Sequence, residues 1–478
     1  MNQNPRNLLP RCAAIGLAMA LMLNNRIAVA DEDYAGYRRE FYREDDHRMS
    51  IDTDTVAWDI GLNSHVRFTG ELVNDAISGA TPNGAPPQSQ WPYVTQSELV
   101  TANYQGIFTA AVNDPNNLSL LQNGLFGDPA SAAAFQAYTN YIATDPSYAY
   151  LHTQATNAAN NAFNILTNNP FFHNNKVPLQ DLHDHRRAFS LALPISWGIH
   201  HITPEYSDSE ESDYHSHGIA LNYSIDLNQK NTTLNAGWSH NMDRVRDDVM
   251  AWEGKVSDGF LIGIDQLISP EAYFTLNFTY GQEYGYLADP YRGVMALMSS
   301  DPNNLLHGHQ TDPGNGSTAN SPGILMPEVR PRRRVKETVD LSYAQYVDPL
   351  DGTFDLGYHF FHDSFGIYAH TAEAYWHQKL GRRVVFTSGF RYYYQTAANF
   401  YDIFIPDAFN PPQYFSSDYR LSRFNSYALS AALTVRVQKH FSLDLNYMRY
   451  VMRGLDGATS QSAYPSANVY SVGARIWF

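Results

Sequence analysis

The chain has 478 residues, with 48 acidic and 32 basic side chains, a net charge of −16 and a mean hydropathy of −0.40. This acidic balance argues against nucleic acid as a partner. The single cysteine, Cys12, lies in a predicted leader, so the exported part has neither a disulfide nor a thiolate metal site.

The N-terminus has the pattern of a secretory signal peptide. Arg6 and Arg11 supply positive charge, Cys12 to Leu23 is a short apolar run, and Ala28 to Ala30 is a small-x-small cleavage site. The run is too short to span a bilayer as a helix. Arg11 stands before Cys12 where a lipid-attachment motif needs a small residue. We therefore predict a signal peptide over residues 1–30, cleavage before Asp31, and no acylation.

The rest of the chain, residues 31–478, alternates between polar and apolar residues in segments of roughly ten residues. That length suits a tilted membrane strand, and the aromatic content of 14% suits the girdles of a barrel. The pattern predicts an all-β fold, a transmembrane antiparallel up-and-down barrel of about sixteen strands. The predicted strands are 34–43, 49–60, 65–77, 186–197, 201–206, 218–227, 232–245, 256–268, 272–284, 336–347, 353–362, 367–379, 384–395, 423–437, 441–452 and 468–478.

The connections between these strands fall into two classes. If the mature N-terminus is periplasmic, every connection after an even strand is short and faces the periplasm. The long connections, 78–185, 287–335, 396–422 and 453–467, all follow odd strands. Outer-membrane barrels have this asymmetry, with long extracellular loops. We therefore predict an outer-membrane protein of a Gram-negative bacterium.

The two longest loops differ in composition. Within 78–185, the pieces 129–142 and 154–166 have helical spacing and are predicted to be short helices. A loop of this length is usually functional or disordered, so it forms either a cap above the barrel or a plug inside the lumen. The loop 287–335 is rich in Gly, Pro, Asn and Ser, which predicts a mobile surface loop.

Three stretches resemble signatures of a family of exported bacterial barrel proteins classed as a domain of unknown function. They are Leu72 to Pro82 (LVNDAISGATP), Asp226 to Thr233 (DLNQKNTT) and Arg391 to Tyr401 (RYYYQTAANFY). The resemblance covers most of the mature chain apart from the two long loops. It implies an outer-membrane barrel and implies no activity.

The last strand also resembles a known signal. Tyr470 and Phe478 lie on its apolar face, and the terminal Phe resembles the signal by which outer-membrane proteins are recognised for insertion. Barrel-insertion machinery and periplasmic chaperones are therefore expected partners. Outer-membrane lipids and lipopolysaccharide are the others, and the cluster Arg330, Arg332, Arg333 and Arg334 is a candidate for contact with lipopolysaccharide phosphates or a merely solvated charge run.

Alternation also predicts which charged side chains point into the lumen, which in a sixteen-stranded barrel is wide enough for water. Acids outnumber bases among them, which favours a pore for small hydrophilic solutes that prefers cations. Alternatively, the acids and arginines pair across neighbouring strands and fill the lumen. The candidate pore-lining residues are Asp226, Asp265, Glu283, Asp340, Asp355, Glu373, Asp444, Arg67, Arg391 and Arg475.

Histidine pairs suggest a second function. Residues two apart share one face of a strand, so two imidazoles could bind one divalent transition metal, the only cofactor that the sequence suggests. The pairs are His183 with His185, His215 with His217, and His307 with His309. The rival to a pore is thus a plugged, non-conducting barrel that serves as a surface metal-binding protein or as a scaffold, for instance for a periplasmic redox partner.

Catalytic patterns were also considered. Ser216 lies between His215 and His217, but a serine flanked by histidines is not a catalytic triad, and the sequence has no Gly-x-Ser-x-Gly elbow. We therefore expect no enzyme activity. The solute and the oligomeric state are not determined by the sequence.

Overall fold

The computed structural model describes residues 33–87, 175–297 and 323–478, which form a closed antiparallel β-barrel. Sixteen strands make the wall, counting the three-residue β5 as a continuation of β4. The predicted fold class is confirmed. The strands are β1 (Tyr34–Glu44), β2 (Met49–Gly61), β3 (Arg67–Pro82), β4 (Leu179–Ala192), β5 (Ile195–Trp197), β6 (His200–Glu210), β7 (Tyr214–Leu227), β8 (Thr232–Arg246), β9 (Trp252–Ser269), β10 (Ala272–Gly285), β11 (Gly293–Leu297), β12 (Gly323–Pro327), β13 (Arg333–Val347), β14 (Gly352–Asp363), β15 (Tyr368–Leu380), β16 (Val384–Gln395), β17 (Phe404–Ile405), β18 (Phe424–Gln438), β19 (Phe441–Gly454) and β20 (Ser466–Trp477).

The barrel closes between its first and last strands. β1 pairs with β20 from Tyr34 opposite Trp477 to Glu44 opposite Ala467, and every other wall strand pairs with its neighbours in sequence. Closure leaves no unpaired strand edge, which a sheet inside a bilayer requires because lipid offers no hydrogen-bond partners. Within the described residues, no helix is both long and apolar enough to span a bilayer.

Several strands run further than their sequence pattern predicted. β3 extends to Pro82 and β4 begins at Leu179, so the first long loop covers 83–178 rather than 78–185. The second covers 286–332, and its described parts contain β11 and β12, whereas the sequence predicted a mobile surface loop. β11 pairs with both β12 and β17 in a small separate sheet. The predicted helices 129–142 and 154–166 lie outside the described residues.

The outer wall is apolar where alternation predicted it. On β10, Leu276 and Phe278 are 38% and 40% exposed on the outer face, while Thr275 and Asn277 line the lumen. Tyr470 and Phe478 also point outward and are exposed. At one end of the barrel, here called the turn end, every connection is short. The long ones gather at the other, the loop end.

Candidate functional site: the lumen and its cap

Loops from three parts of the rim meet over the loop end. The Ser417 hydroxyl donates to the carbonyl oxygen of Gly84 at 2.6 Å and to that of Gly293 at 2.8 Å. The Gly293 amide in turn donates to the carbonyl of Asn83 at 2.9 Å. These residues belong to the loops after β3, β10 and β16, so the contact spans the mouth. We call the described segments 83–87, 286–297, 323–332 and 396–423 the cap.

The cap has an apolar core of its own. Val294 and Ala296 on β11, Ile405 on β17 and Phe415 are buried together. A second cluster joins Phe365 and Ile367, which follow β14, to Ala398 and Leu421 of the cap. Burial of apolar surface stabilises such contacts by roughly 25 cal/mol per Å². The cap is therefore a packed structure anchored on the barrel wall.

Buried ion pairs also hold the cap together. Arg330 pairs with Glu328 at 2.7 Å and with Asp418 at 2.7 Å, and both carboxyls are almost fully buried. Arg420 pairs with Asp418 and with Asp289, and so links the loop after β16 to the loop after β10. A buried pair of this kind is costly to break, because removal of one partner leaves an uncompensated charge.

The two carboxyls that share Arg330 differ in acidity. Burial raises the pKa of Glu328 to about 7, although Arg330 opposes the shift. Burial acts on Asp418 as well, but Arg420, Arg292 and Arg330 outweigh it and hold the pKa of Asp418 well below its ordinary value. Glu328 is therefore the cap carboxyl that changes charge near neutral pH.

On one side, the cap descends into the lumen. Tyr419 packs edge-on against Tyr464 at 5.7 Å between ring centroids, beside the inward side chains of Phe424 and Tyr450. The hydroxyls of Ser422 and Tyr464 are hydrogen-bonded at 2.6 Å. The cap thereby fills the loop end of the lumen next to β18 and β19.

The opposite side of the lumen is open. A cavity of about 1410 Å³ lies between the underside of the cap and the wall from β3 to β16. Its charged lining residues include Arg186, Lys336, Asp340, Glu373 and Arg391 from the wall. Asp289, Arg330, Asp418 and Arg420 line it from the cap.

Near the cap, the wall charges pair across strands. Glu373 accepts a hydrogen bond from Arg391 at 2.8 Å, and His359 lies between Glu373 and Asp340. Lys336 donates to Glu283 at 2.5 Å. The alternative interpretation of the sequence, that acids and bases pair across neighbouring strands, thus describes this part of the lumen.

Near the turn end, inward carboxylates have neutral partners instead. Asp265 accepts hydrogen bonds from Asn235 at 2.7 Å and Thr275 at 2.5 Å. Asp444 accepts one from Thr434 at 2.7 Å. Neutral donors orient a carboxylate without cancelling its charge. Uncharged donors therefore orient these two carboxylates, and the inward-facing Arg475 lies at the same end of the barrel.

Other predicted pore residues lie at the same end. Asp226 accepts from Thr233 at 2.8 Å and lies 3.1 Å from the imidazole of His201. Asp355 lies two residues from Gly357 on β14 and lines the cavity.

The two predicted basic residues at the turn end have different surroundings. Arg67 pairs with Asp59 at 2.6 Å and with Asp33 at 3.1 Å. Arg475 stacks over the ring of Tyr34. Arg67 is therefore neutralised locally.

Some lumen charges were missed by the sequence interpretation. Arg186 pairs with Asp75 at 3.4 Å, and Lys255 pairs with Asp243 at 3.5 Å. The period-two pattern could have found all four, since each lies on a strand whose alternation is regular. Glu328 lies in a loop, so the period-two pattern of a strand could not have identified it.

The histidine pairs do not come together in the described part of the chain. His215 and His217 lie on the outer face of β7 beside Glu210 and Asp208 of β6. His183 and His185 lie on β4, which pairs with β6 and not with β7. His307 and His309 lie outside the described residues. In the described ranges, the group of three metal-ligating side chains is Asp184, Glu211 and Asp213, which contains no histidine.

The predicted arginine cluster is also dispersed. Arg330 is buried in the cap, and Arg334 pairs with the buried Asp363. Arg332 pairs with Glu253 at 3.0 Å, and Arg333 stacks over Tyr284. Arg330 is 11% exposed whereas Arg332 is 69% exposed, so the four arginines do not form one exposed cluster in the structure.

Comparisons with known proteins give one family and a set of distant structures. The sequence matches the family described as "Protein of unknown function (DUF3570)" over residues 11–255 and 248–468. No curated protein sequence matches the chain.

Solved structures match across most of the chain at low identity. The siderophore receptor PirA from Pseudomonas aeruginosa is 8% identical, with a TM-score of 0.37 over 93% of this chain and 61% of that one. CdiB from Acinetobacter baumannii is 7% identical, with a TM-score of 0.43 over 94% and 60%. The outer membrane protein opdK from Pseudomonas aeruginosa is 8% identical, with a TM-score of 0.35 over 94% and 99%. The chain thus spans about three fifths of the length of the first two.

Proposed function

Since the chain belongs to the DUF3570 family, whose function is unknown, we propose a function from the geometry of the chain itself: an outer-membrane channel for small hydrophilic solutes that prefers cations. The location is supported by the closed barrel, its apolar outer belt, and the gathering of all long connections at one end. In that location the loop end faces outward and the turn end faces the periplasm.

The observation that carries the proposal is the state of the carboxylates near the turn end. Asp265 and Asp444 are held by neutral donors, so each keeps its charge beside the solute path. A lumen with low-dielectric walls concentrates ions of the opposite sign. Cations are therefore favoured at the periplasmic side, whereas the paired charges near the cap discriminate less.

The cap sets the size limit in this proposal. It fills the loop end of the lumen beside β18 and β19 and leaves the cavity of about 1410 Å³ beside the wall from β3 to β16. Solutes would pass through this remaining space. The balanced charges of Glu373, Arg391, Lys336 and Glu283 give it a polar lining suited to hydrophilic molecules.

The test is single-channel conductance of the purified, refolded mature protein in a planar bilayer, with a salt gradient across it. We expect steady steps and a reversal potential of the sign that marks cation preference. A protein that is folded by circular dichroism and gives no steps would refute the open channel. Steps with anion preference would refute the role of the carboxylates.

The main alternative is a plugged barrel that binds or scaffolds. The three-loop junction at Gly84, Gly293 and Ser417 favours it, because the contact crosses the mouth. A variant with residues 91–170 replaced by a short Gly/Ser linker keeps both anchored ends of the first long loop. Conductance that appears only in this variant would assign the plug to that loop and replace the channel proposal.

A further inference from the structure

Three strands that close the barrel carry an ordered set of side chains on their outer face. Across β1, β20 and β19, Arg43 lies opposite Asn468, which lies opposite Arg449. We call these three residues the arginine row. Both guanidinium groups are about one third exposed, with values of 38% and 33%. The row therefore faces the surroundings of the barrel.

Directly toward the turn end lies an aromatic row on the same face. It consists of Phe41, Tyr470 and Tyr447, which are register neighbours on the same three strands. The rings of Tyr447 and Tyr470 lie 5.2 Å apart, and the Arg43 guanidinium stacks 5.3 Å from the centre of Phe41. Aromatic rings of this kind are typical of the level where a membrane meets water.

Below the aromatic row the outer face becomes apolar on β19 and β20, whereas β1 has Arg39 opposite Val472, paired with Asp52 and Asp54. Val472 and Leu445 are register neighbours, as are Ala474 and Leu443. The exposed fractions of Val472 and Leu445 are both 49%. From the loop end to the turn end, the face on β19 and β20 thus passes from polar and cationic to aromatic to apolar, which is the order of groups that complements a lipid with an anionic headgroup.

The arginines retain capacity for such a headgroup. Arg449 donates to Asp45 through two nitrogens at 2.7 and 2.6 Å. Arg43 donates to Asp52 and to the carbonyl oxygens of Tyr42 and Ile51, so of the five N–H donors of each guanidinium at least two have no partner among these contacts. The Tyr447 hydroxyl donates to the side-chain oxygen of Asn468 at 3.0 Å, so the amide nitrogen of Asn468 is directed away from that bond. Two guanidinium groups and one amide in line offer several N–H donors to a phosphate, and a planar guanidinium can bind it through two of them.

The far wall lacks this arrangement. On β7, β8 and β9 the row Leu221, Trp238 and Phe260 is followed toward the loop end by Ile219, His240 and Asp258. The apolar and aromatic levels are thus alike on both walls. The level next to the aromatic row holds two arginines on the wall where the barrel closes, but a histidine and an aspartate on the far wall, where Arg244 lies further toward the loop end. Contact with bulk lipid alone does not require this difference.

We propose that the outer face of β19, β20 and β1 binds a phosphorylated lipid of the outer leaflet. Its phosphates lie against Arg43, Asn468 and Arg449, and its acyl chains lie along the apolar rows below. The proposal rests on the outer-membrane location given above but not on conduction. Arg453 and Arg423, both exposed and stacked on Tyr427 and Tyr394, extend positive charge further toward the loop end.

The experiment measures lipid retained by the detergent-purified mature protein in native mass spectrometry. The probes are diphosphoryl lipid A, its dephosphorylated form, and inorganic phosphate as a competitor. We expect the double variant Arg43→Gln/Arg449→Gln to bind diphosphoryl lipid A about tenfold more weakly than the wild type, since it loses two charge-assisted contacts. The matched control is Arg244→Gln, an exposed arginine on β8 of the far wall, and should bind as the wild type does.

A second variant guards against misfolding. Asn468→Asp keeps both arginines and the acceptor for Tyr447, but adds negative charge between them, so it should also weaken binding. Equal binding by wild type and both arginine-row variants would overturn the proposal, as would equal binding of dephosphorylated lipid A. Displacement by millimolar phosphate would assign the row to free phosphate instead. Single-channel conductance is measured on the same preparations, so that failure of the lipid-binding proposal can be distinguished from failure of the channel proposal.

Discussion

The Ser417 hydroxyl donates a hydrogen bond to the carbonyl oxygen of Gly84 at 2.6 Å, across 333 residues of sequence. Gly84 follows β3, and Ser417 precedes β18, so the bond joins separate parts of the barrel rim. Gly293 shares the same hydroxyl. The cap can therefore form only after the barrel has brought these loops within reach, and its stability depends on close backbone approach at this junction.

Gly84→Ala should open the junction. Gly84 has φ of +92°, and a β-carbon there would lie 2.1 Å from the carbonyl oxygen of Gly293. Backbone at that distance cannot yield as a flexible side chain could, so the loops must separate. We expect larger single-channel conductance and faster cleavage of the cap by protease, with an unchanged barrel by circular dichroism.

The control for this variant is Gly457→Ala. Gly457 also lies at the loop end with a positive φ, of +74°, but a β-carbon there meets nothing within 4 Å. The Gly457→Ala variant therefore has the backbone strain of about 1 kcal/mol but not the clash. Equal behaviour of the two variants would mean that the junction at Gly84 does not hold the cap closed.

The stability of the cap should fall as pH rises toward neutrality. Burial raises the pKa of Glu328 from 4.5 to about 7, so between these values the folded cap holds a proton that the unfolded segment has lost. The contribution of Glu328 to the stability of the cap is thus greatest below pH 4.5, decreases up to about pH 7, and is constant above. Ionisation of Glu328 over this range lowers the free energy of unfolding of the cap by about 3 kcal/mol at most. Hydrogen exchange of segments 286–297 and 404–418, corrected for intrinsic rates, measures it.

The charged neighbours of Glu328 define the control. Arg330, Asp289 and Asp418 face it, and Ser416 donates to it. Asp418 has its pKa lowered, so it stays ionised throughout this window. Glu328→Gln cannot ionise and should remove the dependence between pH 4.5 and 7. A dependence that persists in this variant would assign the titration to another group.

The wall was predictable from sequence to a degree that the cap was not. A strand needs only a period of two, so Asn468 to Phe478 and the inward Asp265 and Glu373 follow from local pattern. The contact of Ser417 with Gly84 depends on the positions of loops far apart in sequence. No periodicity encodes such a contact, and the burial of Arg330 was accordingly missed.

Metal binding by the histidine pairs stays a prediction, and these pairs show the same limit of a local pattern. Their spacing correctly placed His215 and His217 on one face of β7. It could not determine which strand would lie beside them, and β6 supplies the acids Asp208 and Glu210 instead of histidines. Which strands are neighbours depends on the order of strands in the sheet. The sequence of one strand does not determine that order.

Glu373→Gln should destabilise the barrel. Glu373 is 8% exposed and lies between Arg391 and His359, so the variant leaves Arg391 without its carboxylate, while His359 keeps its contact with Asp340. We expect a loss of about 1–3 kcal/mol in the free energy of unfolding, measured by urea titration in detergent. Glu337→Gln is the matched control, because Glu337 pairs with His362 on the outer face and is half exposed. Its effect should stay within about 0.5 kcal/mol, and equal effects would contradict the importance of the inner row.

Asp265→Asn combined with Asp444→Asn should reduce cation preference without changing the pore diameter. Both carboxylates are oriented by neutral donors, and the amides can keep most of those hydrogen bonds. A cation that passes 5 Å from one charge in water gains about 0.8 kcal/mol, which is a factor of about four in local concentration before screening. The reversal potential in a salt gradient should therefore move toward zero, while conductance at high salt stays near the wild-type value. Asp258→Asn, which removes an outer-face carboxylate paired with His240, should leave the reversal potential unchanged. If the double variant retains the wild-type reversal potential, selectivity is set at the cap and not at the turn end.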